Sequence, residues 1–169
     1  DWIEVQFSGP KTLNEIDVFT TQDAPLDGTG PAVEPTPDLT FGRYGITAFD
    51  VQTWSGSDWA TVPGGKVTEN NKVWRKFAFA PISTRYLRVL VVNALNVYSR
   101  VAEIEAYEVA DAPPASGLRN VALQANGGVA SASSTASGNY PPSAVNTVGL
   151  HGTGPCRAAD SVSCARPRR

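Results

Sequence analysis

Thr84-Arg85-Tyr86-Leu87-Arg88-Val89-Leu90-Val91-Val92 is the stretch on which the fold turns. It is dense in β-branched and apolar residues, and towards its end both faces are apolar. That pattern predicts a strand at the centre of a sheet.

Upstream, Trp2-Ile3-Glu4-Val5-Gln6-Phe7 places Ile3, Val5 and Phe7 on one face and Glu4 and Gln6 on the other, as a half-buried strand requires. Ser8-Gly9-Pro10 reads as its stop, and Thr12 to Thr21 as a second strand able to pair with the first in a hairpin. Gln22 to Gly45 contains Pro25, Pro31, Pro35, Pro37, Gly28, Gly30 and Gly42, a composition that argues against helix and for a long loop. Ile46 to Trp54 alternates again, and Ser55-Gly56-Ser57-Asp58 turns the chain into Trp59 to Val62. Pro63-Gly64-Gly65 reads as a break, followed by extended pieces at Lys66 to Thr68 and Val73 to Phe79, with Phe77 and Phe79 on one face.

Downstream of the central stretch, Asn93 to Arg100 forms a turn, and Val101 to Val109 alternates Glu103, Glu105 and Tyr107 against Ala102, Ile104 and Ala106. Glu103 and Glu105 read as a solvated face. Ala110 to Gly117, with consecutive prolines at Pro113 and Pro114, reads as a linker. Beyond it, Asn120 to Ser134 offers short-strand apolars at Val121, Leu123 and Val129, all expected to be buried when these strands pack, and Tyr140 to Asn146 is a proline-stiffened turn. No stretch of ten residues carries a 3.6-residue apolar period. Short strands separated by Gly/Pro turns predict an all-β fold, a sandwich or jelly roll.

The chain has 169 residues with four Trp, six Phe and five Tyr, enough apolar volume for one sizeable core without disulfides. A formal net charge of −2 gives no global reason to bind nucleic acid, and no apolar run is long enough to span a membrane as a helix. Cys156 and Cys164 both fall in the tail, where they could close a small loop; with His151 they do not make a four-ligand zinc site. Arg157, Arg166, Arg168 and Arg169 in the same tail read as a solvated basic end. The sequence contains no Met, which reads Asp1 as a processed or excised end, with any cellular address in removed sequence.

Several of these segments together resemble the discoidin or coagulation-factor type-C domain, a galactose-binding-like module similar to the family 32 carbohydrate-binding modules. Asp1-Trp2-Ile3-Glu4-Val5-Gln6-Phe7 resembles its "W-I-x-V-x-F" strand, and Leu13 to Val18 the "L-x-x-I-x-V" strand after it. Tyr86-Leu87-Arg88-Val89 resembles a late "R-Y-L/V-R" strand, and Ala102-Glu103-Ile104-Glu105-Ala106-Tyr107 the closing "A-E-I-x-V/A-Y" strand. Asn120-Val121-Ala122 with Ala130-Ser131-Ala132-Ser133 resembles the opening "N-V-A … A-S-A-S-S" strands, which in that family come first. The resemblance implies a jelly-roll β-sandwich in circularly permuted order. Residues 1–109 would form its main body, 110–119 a linker, 120–146 the strands that complete the same sandwich and 147–169 an irregular tail. A linker of about ten residues spans up to ~33–36 Å, so fold-back is feasible, and a strand-swapped dimer gives the same contacts.

Function by resemblance is a non-catalytic carbohydrate-binding module, with a galactose-type or other glycan as partner, inherited from a larger secreted or cell-surface protein. Sugar recognition needs an aromatic platform and polar side chains for the hydroxyls. The candidates are Asn96, Tyr98 and Arg100 before the closing strand, and Arg43 and Tyr44 at the exit of the long loop, where Phe41 and Tyr44 could instead pin the loop. The resemblance also implies a structural Ca²⁺ held by Glu103, Ala144 and Asn146. Thr147-Val148-Gly149 replaces the acidic run that such a site uses, so the ion is expected to be weakly held or absent. One His, no Gly-x-Ser-x-Gly element and no phosphate-binding glycine loop argue against an enzyme. Two further readings are an excised or recombinant permuted fragment without a function of its own, and an adhesion module acting as a swapped dimer.

Overall fold

The computed structural model describes residues 1–108, 119–135, 138 and 140–147. Most of the linker and of the tail, with His151, Cys156, Cys164 and the terminal arginines, lies outside these residues, as does Val109.

Among the described residues six antiparallel strands build the molecule: β1 (Trp2–Thr20), β2 (Ile46–Trp54), β3 (Trp59–Val67), β4 (Trp74–Ala94), β5 (Val101–Glu108) and β6 (Val129–Ala132). The central stretch is indeed inside a central strand, since β4 lies between β2 and β1 in the order β3-β2-β4-β1-β5. β1 and β4 run side by side along most of their length, but different strands flank their two halves. One layer is β3-β2-β4-β1-β6, using the first half of β1 and the second half of β4; the other is the remaining halves with β5.

Alternation fills the space between the layers. Ile3 and Val5 meet Val89 and Leu87 in register, while Ile16 lies between Phe77 and Ala106, and Val18 beside Ile104. All belong to a single core with Phe7, Leu13, Phe49 and Val51. Each large apolar side chain buried this way is worth about 1.5–3 kcal/mol, which makes the all-β sandwich the arrangement that hides these residues.

Three expectations are corrected. Trp2–Phe7 and Thr12–Thr21 are not a hairpin: β1 passes straight through Ser8-Gly9-Pro10, and both halves pair with β4. The ladder to β4 shifts register between Gln6 and Lys11, so Pro10, which has no N–H, sits in a bulge where no ladder bond is required. β3 likewise continues through Pro63-Gly64-Gly65, and β4 through Pro81. Second, the long loop opens with a short helix, α1 (Asp23–Asp27). Pro25 is tolerated because the first-turn N–H groups of a helix have no intrahelical partner, and Gly28 ends it at φ 74° in the left-handed region. Third, Glu103 and Glu105 are buried rather than solvated. Their face is enclosed: Phe19, across from Glu103, stacks on Trp74 at 5.7 Å, and Asp17, across from Glu105, accepts a 2.9 Å bond from the Trp74 Nε1–H.

The segment after the linker pairs with the strands of its own chain. β6 lies against the first half of β1, with Ile3 opposite Ala132 and Val5 opposite Ala130. This register turns Ala130 and Ala132 towards the core and leaves Val129 62% exposed, contrary to the expectation that Val129 would be buried; Val121 is buried and Leu123 half-buried. Asn120 anchors the entry, since its Oδ1 accepts the backbone N–H groups of Ala106 and Ala122. Gly128 is required where the chain doubles back, because a Cβ there would strike the carbonyl oxygen of Ala122.

Candidate functional site

The turn between β4 and β5 carries backbone conformations that L side chains rarely adopt. Asn96 lies at φ 53°, ψ 37° and Val97 at φ 56°, and a β-branched residue there is strained. Val97 gains no burial in return, being 87% exposed. The strained turn swings Tyr98 outward, leaving it 52% exposed.

Two hydrogen-bond systems hold the start of β5 and the loop exit that faces it. The Thr20 hydroxyl donates to the Arg100 carbonyl at 2.8 Å and accepts the Ile46 N–H at 3.0 Å, tying the start of β5 to β1 and β2. The Asp23 carboxylate accepts three backbone N–H groups, from Gly42 at 2.6 Å, Arg43 at 3.2 Å and Tyr44 at 3.1 Å, which shapes the loop exit. The Leu95 N–H then bonds the Gly45 carbonyl at 3.0 Å, joining turn and loop exit. Phe41 is buried and pins the loop, its ring packed where a Cβ on Gly45 would have to go.

These ties bring three of the five expected ligand residues together. The Arg100 guanidinium lies 4.7 Å from the centroid of the Tyr98 ring and 5.3 Å from that of Tyr44, both within cation–π range. Its Nη1 makes long contacts to the carbonyls of Tyr44 at 3.4 Å and Leu95 at 3.5 Å. Arg43 is not part of the group: it points to α1, with its Nη1 3.3 Å from the Asp27 carboxylate. That carboxylate is held below its ordinary range chiefly by the Thr29 hydroxyl, with the Thr29 N–H also bonding it.

Tyr98 and Arg100 open onto a groove of about 790 Å³ at one end of the sandwich. Asn96 serves the turn by tolerating the left-handed region and does not line this groove. The other walls are the start of β1, the residues after β6 and the 3₁₀ segment Pro142–Asn146. The Asp1 carboxylate bridges two walls, accepting the Ser99 hydroxyl at 2.8 Å and the Ser134 hydroxyl at 3.1 Å. Tyr140, 45% exposed, joins Trp2 and Tyr98 as a third aromatic ring in the lining. Sequence reasoning missed Asp1, Ser99, Ser134 and Tyr140 as site residues. Ser99 could have been found beside Arg100; Asp1 is placed by backbone bonds to Val91, and Ser134 by following the strand paired with β1, long-range relations that no local pattern announces.

Of the expected metal residues, Ala144 lines the groove and Asn146 follows it in the same 3₁₀ segment. Asn146 is buried, its Nδ2 donates to the carbonyls of Ala122 at 2.9 Å and Gly128 at 3.1 Å, and its Oδ1 has no hydrogen-bond partner among the described residues. The Ala144 carbonyl accepts the Thr147 hydroxyl at 3.4 Å. Glu103 supplies the only carboxylate of the set, and no group of three or more His, Cys, Asp or Glu is arranged for a metal among the described residues. One carboxylate with neutral oxygens lacks the charge that tightly bound Ca²⁺ needs, so these residues do not fit a strong Ca²⁺ site.

No family model matches the chain, and no curated protein matches it. Among solved structures, the chain is similar to the family 32 carbohydrate-binding module from Streptococcus pneumoniae EndoD, with a TM-score of 0.46 and 17% identity over 64% of this chain and 69% of that one. Among the described residues, no helix is long and apolar enough to cross a membrane.

Proposed function

We propose that the chain is a non-catalytic carbohydrate-binding module whose glycan enters the groove beside Tyr98 and Arg100. One observation carries this reading: an exposed aromatic ring and a guanidinium whose Nε and Nη2 are unused among the described residues stand side by side on the wall of a groove large enough for sugar units. The Tyr98 ring offers its face to the apolar side of a pyranose. Arg100, with the hydroxyls of Ser99 and Ser134, offers hydrogen bonds to the sugar hydroxyls. A galactose-type sugar is the first class to try, following the discoidin-like segments of the sequence.

We further read the chain as a permuted module in which residues 120–146 complete the sandwich of residues 1–109, with 110–119 as linker and 147–169 as tail. The in-register pairing of β6 with β1 supports the completed sandwich, and light scattering during size-exclusion separates a closed monomer from a swapped dimer with the same contacts. Binding on this reading needs no Ca²⁺, and the parent protein is secreted or displayed on a cell surface.

The test is a glycan array probed with the labelled chain, followed by calorimetry of any hit against the unaltered protein and Arg100→Ala. Saturable binding that the substitution removes supports the proposal. Silence towards every glycan by a folded monomer would support the excised-fragment reading instead.

A further inference from the structure

We infer that the groove selects a glycan carrying an anionic substituent, a carboxylate or a sulfate ester, and that Arg100 is its counter-charge. This rests on the carbohydrate-binding reading and names the class of sugar within it.

Arg100 is half-buried in the groove wall, and among the described residues no carboxylate lies within ion-pair distance of its guanidinium; Lys66, Arg75, Arg85, Arg88 and Arg119 share that lack, but none of them lines the groove. Within the same residues only Nη1 makes hydrogen bonds, both long and both to neutral carbonyls, which leaves Nε and Nη2 without partners. The two tyrosine rings hold the plane of the guanidinium without neutralising it. The Asp1 carboxylate also lines the groove and keeps its charge, but it is not in ion-pair contact with Arg100, and its two oxygens accept the hydroxyls of Ser99 and Ser134. Among the described residues the guanidinium thus has no ion-pair partner and keeps open donors towards the groove, and a guanidinium fork matches a carboxylate or sulfate through paired charge-assisted hydrogen bonds. A neutral sugar would use those donors but leave the charge unanswered.

The experiment compares the unaltered protein on three ligands: oligogalacturonate, its methyl ester and a neutral galacto-oligosaccharide of equal length. A sulfated galactan and its desulfated form make a parallel pair that separates carboxylate from sulfate recognition. Calorimetry at about 50 mM and about 300 mM salt gives the charge dependence. The expected result is that at least one charged ligand binds roughly tenfold more tightly than its neutral partner at low salt, with the preference shrinking several-fold at high salt. Arg100→Lys should keep part of the preference and Arg100→Gln none. If charged and neutral partners bind equally, or only neutral sugars bind, the charge inference is overturned while the carbohydrate reading stands. If no glycan binds the folded protein, both fall. Because the ligand pairs are compared on the unaltered protein, the outcome does not depend on either variant folding.

Discussion

The Arg100 guanidinium lies 4.7 Å from the centroid of the Tyr98 ring, so that a polar and an apolar group stand side by side on the wall of the groove. Tyr98 is substantially exposed and makes little of the core, so Tyr98→Ala should remove a stacking platform without unfolding the protein. Loss of one aromatic contact predicts a roughly three- to tenfold drop in glycan affinity, about 0.5–1.5 kcal/mol, with stability lower by under about 1 kcal/mol from the lost cation–π contact. Calorimetry and urea unfolding check both numbers. Tyr98→Phe, which keeps the ring, should bind nearly as the unaltered protein does.

Val97 pays for its place in the turn with backbone strain and recovers nothing by burial. Val97→Asn supplies a residue that tolerates the left-handed region and should raise stability by about 1 kcal/mol, read as a higher urea midpoint at unchanged slope. An unchanged or lower midpoint would show that Val97 is not strained as described.

Gly128 and Val129 make opposite predictions at adjacent positions. Gly128→Ala drives a Cβ into the Ala122 carbonyl and should cost about 1–3 kcal/mol, loosening β6. Val129→Ala removes an exposed side chain and should change stability by less than about 0.5 kcal/mol. If Val129→Ala proved the more damaging, the β1–β6 register would be off by one residue.

Glu4 gives the pH dependence a sign. Burial pushes its carboxyl above the ordinary 4.5, even against the pull of the Arg88 guanidinium. The native state then binds this proton more tightly than the unfolded chain does. Its contribution is fully present below the unfolded value and is lost as pH rises through the folded one. Glu4→Gln should match the unaltered protein in stability near about pH 3 and exceed it near about pH 7, with the gap opening above the unfolded value. Denaturant titrations across that range measure the gap; an unaltered protein more stable than the variant at neutral pH would contradict the assignment.

Much of the fold was legible in the sequence because period-two alternation reports directly which face is buried. Ile3, Val5, Leu87, Val89 and Ile104 all sit in the core face that their spacing predicts. The long strands were not legible as units, since Pro10 and Pro63 read as stops when the bulge that absorbs Pro10 depends on a partner strand. Val129 was assigned to the core on hydrophobicity alone, but its face is set by the register against β1, a non-local property. In the site, Tyr98 and Arg100 were recognisable as turn residues suited to sugars, and Tyr44 joins them through the Thr20 and Asp23 hydrogen bonds. Arg43 looked equivalent to Arg100 by composition, yet Asp27, sixteen residues upstream, claims its charge.

The central claim is that a glycan enters the groove beside Arg100, and the most direct test is amide chemical-shift mapping on the labelled chain with the tightest array ligand. The account predicts saturable shifts at Tyr98, Ser99, Arg100, Ser134 and Ala144, which line the groove. Shifts confined to the Trp54–Trp59 hairpin, or none at saturating ligand, would contradict it.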